Sequence, residues 1–418
     1  MQVDGLRRLR RLSIVLFAMA LLIAMVAGCG DSSSGDSSKE ANSSEESTSE
    51  PFTVVELGPF SGPLQSLGEA QLTGAETAAE IINKQGGILG REVKIKPEDT
   101  AGSASQAVSV VQSIMSSDSK PDLVLPGSIS SETVPILPLL NSADIWNLGW
   151  ASSPLANDPE KYPNYFGSSA TESEYARSLM IYLEAKGYKR IAGVYPNNEL
   201  GQSGLESLEE AANDAGITIT ESELVNPEAL DVTPALIKLR DSNPEVLVAG
   251  GAIGPVAGII LKGRTKLGWQ VPTIGDGSFC ANNFGELVSP KDLEGVICQV
   301  SDFEVKGDPR QQLPAFKNFM KGVLKRDKSP EYSIQGYAIP YGDLVLAQAA
   351  AEKTKSTGNV ENLTAAIESL KASEVPLWFA SKELNFSPEN HYPDYSESLI
   401  FVPAGPRENG VLSPGSGK

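Results

Sequence analysis

"FTVVELGPFSGPLQSLGEAQLTGAETAAEIINKQGGILGREVKI", residues 52–95, changes its period twice. Thr53 to Leu57 is a short, largely apolar run closed by Gly58-Pro59, which predicts a strand. Ala75, Ala78, Ala79 and Ile82 then recur at the spacing of one helical face until Gly86-Gly87 stops them. Val93-Lys94-Ile95 predicts the next strand. Strand, helix and strand in so short a span form a unit whose two strands run parallel through a right-handed crossover.

The alternation continues outward. Ala107, Val110, Val111 and Ile114 mark a second helix, and Leu123-Val124-Leu125 a third strand. It restarts after Tyr165, with a strand at Ile191 to Val194 and a helical stripe at Leu205, Leu208, Ala212 and Ala215. A strand at Ile217 to Ile219, a helix at Pro234 to Arg240 and a strand at Val246 to Val248 follow. An alanine-rich helix comes later, around Ile339 to Lys353. The predicted class is α/β, two doubly wound parallel-sheet lobes in series. In such sheets ligands collect at the carboxyl ends of the strands, so two facing lobes make a ligand cleft that a hinge motion can close.

Upstream, Arg7-Arg8-Leu9-Arg10-Arg11 precedes the apolar block Ile14 to Val26, which is shorter than a membrane-spanning helix needs. Residues 1–28 therefore read as a signal peptide. Val26-Ala27-Gly28-Cys29 resembles the bacterial lipobox, which implies a lipidated Cys29 anchoring the mature chain to the outer face of the cell membrane. Residues 29–51, rich in serine and acids, cannot bury enough surface to order themselves and predict a flexible tether.

The chain carries 53 acidic against 34 basic side chains, a formal charge of −19. That excess argues against nucleic acid as a partner. Beyond Cys29 only Cys280 and Cys298 remain, and in an exported chain such a pair predicts a disulfide, with two buried thiols as the alternative. Catalytic machinery is sparse. The single histidine, His391, lies in the polar turn "SPENHYPDY", and phosphate-loop, zinc-protease and nucleophile-elbow motifs are missing. No enzyme, cofactor or metal site is predicted. The informative loops follow strands: Gly58 to Gly68, and "GSISSETVP", where Ser130 and Ser131 open a helix whose free N–H groups suit a carboxylate or simply take a cap.

The opening stretch, together with "DTAGSASQAV", "NNELGQSG", "DVTPALIKLRDSNPEVLVAGG" and "YAIPYGDLVLAQAAAE", resembles the leucine/isoleucine/valine-binding family of solute receptors for ABC importers. The resemblance runs from Phe52 to about Val402 and implies the type I periplasmic-binding-protein fold, two lobes joined by three crossovers. Lobe one is then expected at 52–171 plus 301–374, lobe two at 172–300 plus 375–412, and a tail at 413–418. By register, Ser130, Ala151 and Ser153 are implied to hold a ligand carboxylate, and Asp276 to receive its ammonium group. Leu67, Leu200 and Ala252 stand where aliphatic binders of the family often carry aromatics, while Trp150 and Phe279 supply aromatics to another wall or to the core. The implied function is a lipid-anchored receptor that captures a small amphipathic carboxylate, such as an amino acid, and delivers it to a permease. Amides, urea or aromatic acids are the alternative ligands, and sensing without transport the alternative role.

Overall fold

The computed structural model describes residues 50–415. The predicted signal peptide, Cys29 and nearly all of the predicted tether lie outside the described residues. Among the described residues no helix is long and apolar enough to cross a membrane.

The first lobe is built from β1 (Phe52–Gly58), α1 (Gln65–Lys84), β2 (Val93–Asp99), α2 (Ala104–Met115), β3 (Leu123–Leu125), α3 (Ser130–Ser142), β4 (Asn147–Gly149) and β5 (Tyr165–Gly167). Its sheet is parallel throughout, in the order β2-β1-β3-β4-β5. Alternation along β1 sorts the two faces. Phe52 and Val54 enter the core with α1, whereas Val55 and Leu57 meet α2 and α3 on the other side.

The second lobe repeats the plan. It comprises α4 (Glu172–Lys186), β6 (Arg190–Pro196), α5 (Glu199–Ala215), β7 (Thr218–Val225), α6 (Thr233–Asp241), β8 (Val246–Ala249) and α7 (Pro255–Lys266). Then come β9 (Thr273–Gly275), the short α8 (Gly277–Cys280) and α9 (Phe284–Leu287), and β10 (Val296–Ser301). The strand order is β7-β6-β8-β9-β10, extended by β11 (Leu399–Pro403), which pairs antiparallel with β10. Between β10 and β11 the chain returns to lobe one as α10 (Pro314–Arg326), α11 (Ile334–Thr354) and α12 (Val360–Glu368). A hairpin, β12 (Arg407–Glu408) and β13 (Val411–Leu412), closes the chain.

Two sequence expectations need correction or completion. Residues from 375 onward were expected in lobe two, yet Val375, Trp378, Phe379, Leu384 and Phe386 pack into the first core. Phe379 packs edge-on to Phe316 and tilted against Phe319 and Tyr341, and Tyr392 packs with Tyr165, so the last crossing falls between Tyr392 and Leu399. The reason is aromatic content: this polar-looking stretch carries the large side chains that cover the edge of the first core. His391 is completed rather than overturned. Its ring is 1% exposed, stacks on Phe166 at 3.9 Å, and sets Nδ1 2.8 Å from the Tyr165 carbonyl and Nε2 3.2 Å from Glu368. It is a packing residue. Cys280 and Cys298 form a disulfide that ties α8 to β10.

Candidate functional site: the interlobe cleft

In both sheets the strand order reverses beside the first strand of the lobe, β1 or β6, and the loops at the carboxyl ends there diverge. Those loops face one another. They enclose a cleft of about 540 Å3, within the range of small-molecule sites. Lobe one contributes Pro63 and Leu64 after β1, Ala101 and Gly102 after β2, and Ile129 and Ser131 after β3. Lobe two contributes Pro196, Asn198 and Leu200 around the start of α5, and Gly251, Ile253 and Pro255 after β8. The wall is mostly apolar. The lobes also touch directly: Ile253 packs against the first core, and a Cβ on Gly254 would come within 2.8 Å of Leu64 Cδ2.

Beside the cleft a short polar chain crosses from one lobe to the other. Ser130, flanked by the lining residues Ile129 and Ser131, opens α3 and is fully buried. Its Oγ accepts the Ser153 backbone N–H at 3.2 Å. The Ser153 hydroxyl in turn donates to Glu199 Oε1 of lobe two. Glu199 lies in the first turn of α5, between the lining residues Asn198 and Leu200, and Asn198 caps that helix by accepting from Gly201 N at 3.0 Å. The other Glu199 oxygen, Oε2, is buried without a hydrogen-bond partner. Burial raises the Glu199 pKa above the ordinary carboxyl value, against the lowering effect of the Ser153 hydroxyl.

Two further acids gather nearby. Glu172, 3% exposed at the start of α4, donates its backbone N–H to the Ser152 carbonyl at 2.7 Å, while its Oε1 is buried and unpaired. Burial drives its pKa well upward, and the charges of Asp276 and Glu199 add to the rise. Asp276 accepts the backbone N–H groups of Gly251 at 2.7 Å and Phe279 at 2.8 Å, so it caps α8 and clamps the loop after β8. Burial pushes its pKa up to about 6, with those N–H groups pulling the other way.

The structure therefore brings Ser130 and Ser153 into contact and sets Leu200 in the cleft wall. Of the expected contact residues, Leu200 lines the cleft, and the others, Ser130 and Ser153 included, lie behind its wall or in the cores. Leu67 is buried in the first core and Ala252 in the second, where the Ala252 carbonyl accepts from Asn282 at 3.0 Å. Trp150 lies in the first core with its Nε1 donating to the Gln71 side-chain oxygen at 3.0 Å, in the amide orientation that satisfies both groups. Phe279 packs on Phe284. The Ala151 carbonyl is taken by the Tyr392 hydroxyl at 2.8 Å. The Asp276 carboxylate, expected to meet a ligand ammonium, accepts one backbone N–H on each oxygen. Glu199 and Glu172 were not singled out from the sequence. An acid in the first turn of a helix is what the helix dipole ordinarily favours, so neither residue carries a distinguishing signal. Among the described residues no group of three or more metal-ligating side chains is arranged to hold an ion.

A family model described as "Periplasmic binding protein" matches residues 51–395. The chain belongs to the periplasmic binding protein family. It is a binding protein of the extracytoplasmic space and not an enzyme, in keeping with the expectation from its sparse catalytic residues. Among its relatives, this periplasmic binding protein is 28% identical over 204 residues to "Leu/Ile/Val-binding protein homolog 3" of Brucella melitensis, a match covering 48% of this chain and 54% of that protein. The chain thus spans about half the length of that relative. It is 22% identical over 330 residues to "Leu/Ile/Val-binding protein BraC3" of Rhizobium johnstonii, covering 78% and 84%. Among solved structures, the solute-binding protein of an ABC transporter from R. palustris, in complex with 4-hydroxybenzoate, superimposes with a TM-score of 0.71 at 16% identity. That match covers 88% of this chain and 96% of the other. The type I fold is shared with a periplasmic binding protein type 1 from Bordetella pertussis, at a TM-score of 0.75 and 18% identity over 87% of this chain and 100% of the other.

Proposed function

We propose that the protein is the solute receptor of an ABC importer, tethered to the outer face of the membrane through a lipidated Cys29. It captures a small amphipathic acid, such as an amino acid, between its lobes and presents the closed form to the permease. The observation that carries this reading is the apolar cleft of about 540 Å3 between the carboxyl ends of both sheets, with a polar chain from Ser130 through Ser153 to Glu199 beside it. The apolar wall, Leu200 included, selects the ligand's body, and the serines orient its acid group. The Leu/Ile/Val-binding names of the relatives support an amino acid. A second reading, an aromatic acid, is supported by the 4-hydroxybenzoate bound to the R. palustris neighbour.

A thermal-shift screen of amino acids, aromatic acids and amides tests the proposal. A true ligand raises the melting temperature with the logarithm of its concentration above the dissociation constant, by roughly 2.7 kcal/mol of added stability at a hundredfold excess. Ser153→Ala is expected to weaken that ligand about tenfold, the worth of one hydrogen bond. If no member of the three classes shifts the protein, or if the shift survives a charged residue at Ile253, the cleft is not the capture site. Mass spectrometry of the mature N-terminus tests the anchor: a protein that begins at a residue other than a lipidated Cys29 removes it.

A further inference from the structure

At the second crossing between the lobes, just beyond β10, the C-terminal hairpin straddles the junction. Val411 packs against the first core and Leu412 belongs to the second, while the Gly410 carbonyl accepts the Ile334 N–H of α11 at 2.9 Å. The hairpin carries Arg407, whose side chain is 4% exposed. Its Nη1 donates to the Gly410 carbonyl at 3.0 Å and its Nη2 to the Cys280 carbonyl at 2.6 Å. Nη1 also lies 3.8 Å from Oε2 of the buried Glu304. Glu304 in turn accepts the Ser333 hydroxyl and, on Oε1, the Ser301 N–H at 2.9 Å. Burial opposes both charges: it raises the Glu304 pKa against the pull of Arg407, and lowers that of Arg407 against the pull of Glu304. Such a buried pair gains little net stability over apolar side chains of the same shape, so its place at the hinge is explained by what it positions.

What it positions is the end of α8. A helix of four residues leaves its last carbonyls without helical partners. The Cys280 side chain is tied to β10 by the disulfide, its carbonyl is taken by Arg407, and the next carbonyl, of Ala281, accepts the Ser333 N–H at 3.1 Å. From its other side the same segment holds the cleft wall. Asp276 accepts the Gly251 N–H, and Asn282 accepts the Gly254 N–H at 2.7 Å and donates to the Ala252 carbonyl at 3.0 Å. Gly251 and Ile253 line the cleft. Hinge and wall are thus two ends of one chain of contacts, from Glu304 through Arg407, Cys280 and Asn282 to Gly254. We propose that Arg407 is a positioning residue for ligand capture: by gripping the end of α8 it holds the cleft wall at 251–254 in its binding shape. It acts from behind the wall and touches no ligand. Its effect on affinity rests on the capture in the cleft proposed above, whereas its effect on the wall does not.

The test is hydrogen exchange, read by mass spectrometry on the mature protein without ligand, followed by titration calorimetry with L-leucine, L-phenylalanine and 4-hydroxybenzoate. Arg407→Met alone strands the Glu304 charge and endangers folding, so the paired variant Glu304→Gln with Arg407→Met carries the test. In that variant the 250–254 segment is expected to exchange about tenfold faster than in the parent, while strand β8 keeps its protection. Lys306→Ala removes only the exposed ion pair with Glu408 on the same hairpin and should change neither. A probe that binds the parent should bind the paired variant about tenfold more weakly. Exchange that speeds up only in the hairpin and at 333–334, or equally in β8, reduces Arg407 to a stabilising role and overturns the proposal. So does a wall that Lys306→Ala loosens as much, or a probe that binds parent and paired variant equally. A wall that loosens as expected in a protein whose parent binds none of the probes leaves the clamp standing and removes the capture of these acids.

Discussion

Gly250 shows what a single position does for the acidic junction. It follows β8, and an ideal Cβ there would lie 2.2 Å from Tyr195 Cε1 and 2.6 Å from Asp276 Oδ2. Tyr195 is buried and the Asp276 carboxylate is pinned by two backbone N–H groups, so neither can yield cheaply. Gly250→Ala is expected to cost about 1–3 kcal/mol, the range for overpacking a tight site, read as a lower denaturant midpoint with an unchanged slope. A substitution without effect would mean that the loop after β8 shifts freely, and that Asp276 does not fix it. The wall of the cleft was hard to read at this same scale. Leu67, Trp150, Ala252 and Leu200 are all apolar residues at the ends of elements, yet one of the four lines the cleft and the other three face the cores. Composition gives an apolar residue the same preference for a core as for a ligand wall, so only the placed backbone separates them. Ser130 does open α3 as expected, but Ile129 holds the capping position and the Ser130 hydroxyl makes no cap bond; it accepts the Ser153 N–H instead.

At the scale of elements, what could be read from the sequence tracked length and period. Strands β1, β3, β6 and β8, and helices α1, α2, α5, α6 and α11, stand where alternating and helical spacings placed them. Strands β4, β5 and β9 are as short as β3, three residues each, but they read Asn-Leu-Gly, Tyr-Phe-Gly and Thr-Ile-Gly without its unbroken apolar run, and are strands because parallel neighbours hold them. Helix α3 carries Pro135 and Pro138 inside it, against helical propensity, and is kept by the burial of Ile136, Leu137 and Leu140. The disulfide is an element-scale device, since α8 is only four residues long and cannot hold its own position. Its tie to β10 through Cys280 and Cys298 closes an 18-residue separation, which by loop entropy stabilises the fold by about 3 kcal/mol. Reduction is therefore expected to lower the melting temperature and expose two alkylatable thiols. Two thiols that react before reduction would show that the exported protein does not form the bond.

For the whole molecule, the telling feature is how many acids the fold buries without charge partners. Glu56 on β1 and Asp343 on α11 are both buried, with the Asp343 charge raising the Glu56 pKa, and both oxygens of Glu56 and Oδ1 of Asp343 lack hydrogen-bond partners. Burial drives the Glu56 pKa well upward, and pushes Asp343 up to about 8 against the opposing Ser168 hydroxyl. In the same sense burial pushes Glu132 to about 7 and Asp276 to about 6. Each of these groups is protonated in both states under strongly acid conditions, where its contribution to stability is complete. As the pH climbs past the ordinary carboxyl range the unfolded chain ionises first, the folded chain keeps its protons, and stability is lost until the folded pKa is passed. For Asp343 that window runs from 3.8, the ordinary value for an aspartate, to about 8. His391 works the other way: burial lowers its pKa, so its contribution is present above 6.5 and fades as the pH falls through the folded value. One histidine against several acids leaves a net decline toward alkaline pH. The unliganded protein is therefore expected to melt several degrees higher at about pH 5.5 than at about pH 8.5. Asp343→Asn keeps the shape, removes the titrating group, and should narrow that gap by raising the melting temperature on the alkaline side. A gap that stays the same width in Asp343→Asn and in Glu56→Gln would mean that both carboxyls ionise inside lobe one at little cost, through water or a neighbour that compensates them.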